Sequence, residues 1–236
     1  MRVDASTNPS PGRAYRRARQ DRGAETRARL IEAALDVFGH QGFEGATTRE
    51  IAKAAGANLA AIVYHFGSKE ALYGAVAEHV VGQISGRIGQ PFAAVMQRVD
   101  ALGPAEARQA IRLLIANFVD TFIASGDEAA RWARFVIREQ LDPTPAFDII
   151  YAFMGRMHEV VTKLVAAASG GDANSQEMKV KAFTLLGQGM IFRIAQELVL
   201  RRLGHQALGD EDRLLIKETI IANIDLILGG ASHARE

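Results

Sequence analysis

The chain contains no cysteine, which excludes disulfides, thiolate metal sites and cysteine nucleophiles together and suits a cytoplasmic protein. It also lacks any apolar run approaching the roughly eighteen residues that a membrane span needs. Its first residues are rich in Pro, Ser and Arg with no apolar segment, so no secretory signal is expected and the chain should be soluble. Charge of one sign is missing as well. Lys and Arg number 28 against 27 Asp and Glu, a net charge of +1, so any nucleic-acid site must be a local patch.

Catalytic motifs are absent too. The six histidines are scattered with no His-x-x-x-His pair, His158-Glu159 lacks the rest of a zinc-protease motif, and there is no Gly-x-Ser-x-Gly elbow. Gly187-Gln188-Gly189 lies inside an apolar helical pattern with no strand before it, so it is not a dinucleotide fingerprint. These absences predict no catalytic residue, no metal and no cofactor.

What remains is a globular chain of 236 residues, 48% hydrophobic and 23% charged, long enough for a substantial core in one or two domains. Neither an internal repeat nor an alternating strand pattern occurs, and helical spacing recurs throughout. The expected fold is all-α.

Residues 1–23 hold Pro9, Pro11, Gly12 and Gly23 and little that can pack, which predicts a disordered arm. Arg13, Arg16, Arg17, Arg19 and Arg22 make it basic, suited to phosphates or the minor groove, or else merely solvated. From Ala24 to about His40 a helix carries Leu30, Ile31, Ala34, Leu35 and Phe38 on one face. Gly42 and Gly45 break the chain around Phe43. Thr47 followed by Glu50 is a capping box that starts a helix at Thr48, with Ile51, Ala52 and Ala55 as its apolar face. Gly56 ends it through a positive φ.

From about Asn58 to Phe66 a second short helix places Leu59, Ile62 and Phe66 on a buried stripe. Its other face shows Asn58, Ala60, Ala61, Tyr64 and His65. Gly67 ends it, and Ser68 caps a helix from Lys69 to about Ile88 that leads into the rest of the chain. Phe38, Phe43, Ile51, Ile62, Phe66 and Leu72 can meet as one core. Two short helices about a Gly turn form a helix-turn-helix whose second member lies in the major groove; the same spacing also fits an ordinary helical hairpin. If DNA is read, Asn58 is the best base reader by chemistry, since its amide can bond adenine N6 and N7 together, and Ala60 and Ala61 are small enough to approach a thymine methyl.

The stretch ETRARLIEAALDVFGHQGFEGA, then TTREIAKAAGA, then a short helix ending in YHF and followed by GSKEALY, together resemble the DNA-binding domain of the TetR family of bacterial transcriptional regulators. The resemblance covers Glu25 to Tyr73 without a gap. It implies that Arg49 occupies a position able to reach a guanine, and that Thr48, Tyr64, His65 and Lys69 occupy positions used for the DNA backbone. The chain departs from part of the family at Ala61 and Val63, where a hydroxyl and an aromatic ring are frequent.

After Gly89 and Pro91 the pattern predicts helices at about Phe92–Ala101, Ala105–Ser125, Asp127 to the LDPTP stop, and onward to Ala168 with Pro145 in the first turn. A polar SGGDANS loop precedes a single long helix from Gln176 to Leu203, and a last helix runs from Asp210 to Leu228. FVIREQLDPTPAFDIIY and LLGQGMIFRIAQELVLRRLG resemble the C-terminal domain of the CecR-like branch of the same family. The expected division is an arm at 1–23, a DNA-binding domain at 24–72 and a ligand-binding and dimerisation domain at 73–236. The last two helices are apolar enough to pair with their symmetry mates as a four-helix bundle, which in the family is the dimer interface.

A ligand pocket is expected among Phe118, Phe122, Trp132, Phe135, Met157 and His158, with Arg138, Glu139, Gln188 and Arg193 as its polar groups; an ion pair of Glu139 with either arginine is the structural alternative. The expected partners are a double-stranded DNA operator, a second copy of the chain and a small-molecule effector, with no membrane. The function these features predict is a repressor that binds a palindromic operator as a homodimer and is released by a small molecule. A non-specific architectural DNA-binding protein is the competing reading, and the near-neutral charge disfavours it.

Overall fold

The computed structural model describes residues 11–123 and 126–229, with side chains from residue 21 onward. All of its regular elements are helices, with no strand among the described residues. The chain divides into two compact units, residues 1–76 and 77–236.

The first unit comprises α1 (Pro11–Gly45), α2 (Thr48–Ala54), α3 (Leu59–Phe66) and the first turns of α4 (Lys69–Met96). Helix α1 starts earlier than expected: residues 11–23, read from composition as part of a disordered arm, are helical, while residues 1–10 lie outside the described residues. Pro11 is harmless in a first turn, the Arg, Ala and Gln residues that follow are good helix formers, and Gly23 costs only about 1 kcal/mol inside a helix already under way. At Gly42 a φ of 77° interrupts the helix before it resumes around Phe43.

Leu30, Ile31, Leu35 and Phe38 of α1 are buried together with Ile51, Ile62 and Leu72 from the following helices. Phe43 and Phe66, expected in this core, are only half buried. Tyr73, not among the residues expected in this core, is buried in it. Its ring meets Phe38 and Phe43 edge-on at 4.6 and 5.0 Å, the arrangement favoured by aromatic quadrupoles.

In the second unit α4 continues past Ile88 to Met96 and carries Pro91 in its interior. The proline has no N–H to offer the carbonyl of Arg87, yet the helix persists because Val95 is buried and Phe92 packs on the core beyond it. A 3₁₀ turn at Val99–Ala101 leads to α5 (Pro104–Phe122), α6 (Asp127–Leu141), α7 (Phe147–Ser169), α8 (Gln176–Ile194), α9 (Gln196–Leu203) and α10 (Asp210–Gly229). Pro145 falls in the turn before α7 rather than in its first turn. The single helix expected over 176–203 is two, broken at Ala195 (φ −101°, ψ 30°). Met178, Ala182, Leu185 and Gly189 anchor α8 to the core, whereas α9 buries nothing, so no packing holds the two in line.

The core of this unit is built from Ile111, Ile115 and Val119 of α5, Val161 and Leu164 of α7, and Ile216, Ile220 and Ile224 of α10. Arg108 closes one end by donating to the Ala168 carbonyl at 3.1 Å, where a cation suits the C-terminal end of the α7 dipole. No helix among the described residues is long and apolar enough to cross a membrane.

Candidate DNA interface and effector region

Local side chains fix the ends of α2, α3 and α4. The Thr47 hydroxyl accepts from the Glu50 N–H at 3.2 Å and donates to the Glu50 carboxylate at 2.7 Å, and the Thr47 N–H donates to the same carboxylate at 3.1 Å. The Thr47 donors hold the Glu50 carboxyl below the usual carboxylate range. Helix α2 therefore begins at Thr48, whose N–H and that of Arg49 have no intrahelical acceptor. Gly56, with φ 60°, turns the chain into α3, and Gly67, with φ 83°, ends it. Ser68 Oγ then accepts from the Ala71 N–H at 3.1 Å and opens α4.

Asn58 is the N-cap of α3, its Oδ1 accepting from the Ala61 N–H at 2.8 Å. A paired bond to adenine would have to share that oxygen. Leu59 belongs to the outer face: expected in the buried stripe, it is 46% exposed, and only Ile62 of α3 is fully buried. Val63 and Tyr64 are more exposed still, at 63% and 79%. Ala60 and Arg49 are exposed, whereas Ala61, Thr48, His65 and Lys69 are half buried. The outer surface of α3 thus runs through Leu59, Ala60, Val63 and Tyr64. Leu59 and Val63 are members that the spacing argument missed, because a short helix buries a narrower stripe than three hydrophobic positions suggest.

Two cations back this surface. Lys69 Nζ stands 4.4 Å from the centre of the Phe43 ring, and the Arg27 guanidinium 5.1 Å from that of Phe66, both within cation–π range. A Cβ at Gly23 would lie 4.0 Å from His65 Cε1, so α1 passes beside the end of α3.

The expected pocket residues do not converge on one cavity. An apolar void of about 20 Å³ is lined by Phe118 and Met157 together with Ile88, Phe92, Asn117 and Leu186, room for a single water rather than a ligand. Phe122 stacks on Phe118 with centroids 4.6 Å apart. Trp132 and Phe135 are core residues at 1% exposure. The Arg87 guanidinium lies 4.6 Å above the Trp132 ring and pairs with Glu128.

The polar candidates hold structure. Glu139, completely buried, accepts from the Thr144 N–H and hydroxyl at 3.3 and 3.1 Å and so fastens the LDPTP turn. Arg138 beside it is half buried. Gln188 accepts from Asn223 at 3.0 Å, tying α8 to α10. Arg193 donates to Gln196 at 2.9 Å across the break between α8 and α9, and burial together with the charge of Arg134 lowers its pKa. His158 stacks on Phe183 at 3.6 Å, and burial lowers its pKa. A larger concavity of about 350 Å³, unforeseen from sequence, is an open groove lined by Pro91, Val95, Leu102, Ala110 and Leu113 with Arg98 and Glu106 at its rim.

Helices α8 and α10 each have two apolar faces. Val180, Phe183, Ile191 and Ile194 of α8 and Leu214, Leu215, Leu226 and Ile227 of α10 are exposed, opposite the residues that pack on the core. A helix apolar all round is one that is buried on both sides.

Residues 30–76 match the tetR family of bacterial regulatory proteins, and residues 107–231 match the C-terminal domain of the HTH-type transcriptional dual regulator CecR. Over 215 residues the chain is 40% identical to CecR of Shigella flexneri, covering 90% of this chain and 95% of that protein. Its fold is similar to that of AibR, solved in complex with isovaleryl coenzyme A and operator DNA (TM-score 0.59, 16% identity, 84% of this chain and 97% of the other). It is similar also to a TetR-like transcriptional regulator from Rhodococcus sp. RHA1 (TM-score 0.55, 18% identity, 87% and 96%). The chain therefore belongs to the tetR family of bacterial transcriptional regulators and carries the CecR C-terminal domain, among relatives that regulate transcription rather than catalyse reactions.

Proposed function

We propose that this regulator binds a palindromic operator as a two-fold homodimer and represses until a small molecule releases it. The observation that carries the DNA part is the exposed surface of α3, Leu59, Ala60, Val63 and Tyr64, next to the capped start of α2. Apolar side chains on such a surface read thymine methyls, and Arg49 is the group able to reach a guanine. Thr48, Tyr64, His65 and Lys69 set the position on phosphates, while Asn58 holds α3 in shape and Ala60 and Ala61 keep its approach close.

One such unit reads only a few base pairs, so two are required, with recognition helices about 34 Å apart. The unpartnered faces of α8 and α10 are the surface through which the copies join as a four-helix bundle. The effector occupies an expanded form of the void at Phe118 and Met157. Its lining selects an apolar molecule with one group for Asn117 to bond. Such a molecule prefers a state in which the two α3 helices no longer match the half-sites; about 1.4 kcal/mol of preference suffices for a tenfold loss of operator affinity. AibR, crystallised with both a coenzyme A thioester and operator DNA, supports the same pairing of ligand and DNA on this fold.

The test is selection of bound fragments from the host's genomic DNA by the purified protein at near-physiological salt. One or a few palindromes are expected. Recovery without sequence preference removes the specific-operator reading.

A further inference from the structure

Helix α9 buries none of its side chains. Its outer edge presents Leu198, 62% exposed, and one turn later Arg202, exposed and without an ion-pair partner among the described residues; the adjacent Arg201 is already paired with Glu197 at 2.7 Å. Ile191 and Ile194 are exposed at the end of α8, and Leu198 is exposed in the first turn of α9, just past the break at Ala195.

The corner between α6 and α7 has the opposite charge and the same lack of cover. Leu141 is 81% exposed and Tyr151 63%. Asp142 and Asp148 beside them are exposed, with no ion-pair partner among the described residues. Asp148 and Tyr151 stand at i and i+3 on one face of α7, as Leu198 and Arg202 stand at i and i+4 on α9. An apolar side chain next to a cation thus has its counterpart in an apolar side chain next to an anion. Because α7 and α8 pack together across the short 170–175 connection, they run antiparallel, and the start of α7 and the end of α8 fall at the same end of this unit. Within one chain neither surface covers the other.

We infer that α9 of one protomer packs on the α6–α7 corner of its partner, Leu198 against Tyr151 and Leu141, and Arg202 facing Asp142 and Asp148. The interface then extends beyond the α8–α10 bundle and ties each protomer to the turn that Glu139 fastens. This rests on the dimer reading above.

The absence of cysteine makes the contact directly testable. In the full chain carrying both Leu198→Cys and Tyr151→Cys, mild oxidation is expected to give a dimer-mass species that reductant dissolves, with neither single substitution sufficient. A disulfide within one chain, or a dimer-mass species from Leu198→Cys alone, overturns the inference. Sedimentation of the unsubstituted chain separates the two readings: a monomer removes the dimer and this contact together, whereas a dimer that fails to cross-link removes the contact alone. Arg202→Glu is expected to raise the dimer dissociation constant about tenfold, and Asp148→Lys added to it to recover most of the loss. An unchanged constant for Arg202→Glu also overturns the inference.

Discussion

The DNA-binding unit and the second unit solve the same problem, ending and fixing helices, over different distances. In the first unit the bonds are local: Thr47 with Glu50, Asn58 with Ala61, Ser68 with Ala71, beside three glycines at positive φ. In the second, local bonds such as Ser175 with Met178 and Glu139 with Thr144 are joined by others between distant parts of the chain: Arg108 to Ala168, Gln188 to Asn223, Lys217 to Asp120, Arg112 to Asp225. A unit made of local signals has the same shape wherever its motif occurs, which suits a reading head for a rigid groove. A unit held in addition by long-range contacts, with helices apolar on two sides, is one that the effector and partner proposed above would retune.

The largest effect is expected in the core of the first unit. Phe38 touches both Tyr73 and Phe43 and is completely buried, so Phe38→Ala is expected to cost about 3–5 kcal/mol. Chemical denaturation measures it. A loss below about 1 kcal/mol would mean that caps and turns, not the aromatic cluster, hold the first unit.

How much could be read from sequence follows the same division. The capping box, the positive φ at Gly56 and the Ser68 cap were legible because cause and effect lie within four residues. The 11–23 arm was misread because composition weighs Gly and Pro without regard to the helix they join. Leu59 was misplaced because a spacing rule does not know where the neighbouring helix stops. In the second unit the break at Ala195 carries no breaker residue, and the role of Glu139 depends on a turn five residues away that only folding brings to it. The pocket residues were chosen by type, and type does not distinguish Trp132 in the core from Met157 at the void.

Two helix-interior glycines of the second unit sharpen the contrast between packing and propensity. A Cβ at Gly189 would stand 2.9 Å from Phe118 Cε1, and one at Gly86 would meet nothing within 4 Å. Gly189→Ala is expected to destabilise by about 1–3 kcal/mol through overpacking at the void, and Gly86→Ala to stabilise by up to about 1 kcal/mol. Thermal melts of the two variants should move in opposite directions. Equal shifts would show that Phe118 is free to turn away, and with it that the void opens at little cost.

A smaller effect is expected from the local side. Thr47→Ala removes the hydroxyl that receives the Glu50 N–H and should cost about 1 kcal/mol. It also removes the larger of the two donors to the Glu50 carboxyl, leaving the backbone N–H of residue 47; the lowered pKa of that carboxyl gives stability that is present above the unfolded carboxylate range and lost as pH falls through the folded one. The gap between the melts of the parent and of Thr47→Ala should therefore narrow in acid, down to what the cap on the Glu50 N–H contributes. Parallel curves at all pH values would separate the cap from the carboxylate.

The smallest effect sits where the two kinds of organisation meet, at His158 on α7. The Thr162 hydroxyl donates to the His158 carbonyl at 2.7 Å and lies 3.4 Å from Nδ1, so its oxygen is left to accept from Nδ1–H. Nε2 is then a bare acceptor, buried and without a partner. A proton there has no acceptor of its own, and burial lowers the pKa. Because the unfolded chain takes up that proton more readily, stability is full above the unfolded histidine pKa and declines as pH falls below it. The ring that covers His158 is Phe183, itself 66% exposed on the outer face of α8. In the dimer proposed above that face is covered, burial of the imidazole deepens, and association should release part of a proton. Sedimentation at pH 7.5 and 5.5 is thus expected to show weaker association in acid for the parent chain and a flatter response for His158→Gln. A response that the substitution leaves intact would place the pH-sensitive contact elsewhere on the interface and leave Phe183 outside it.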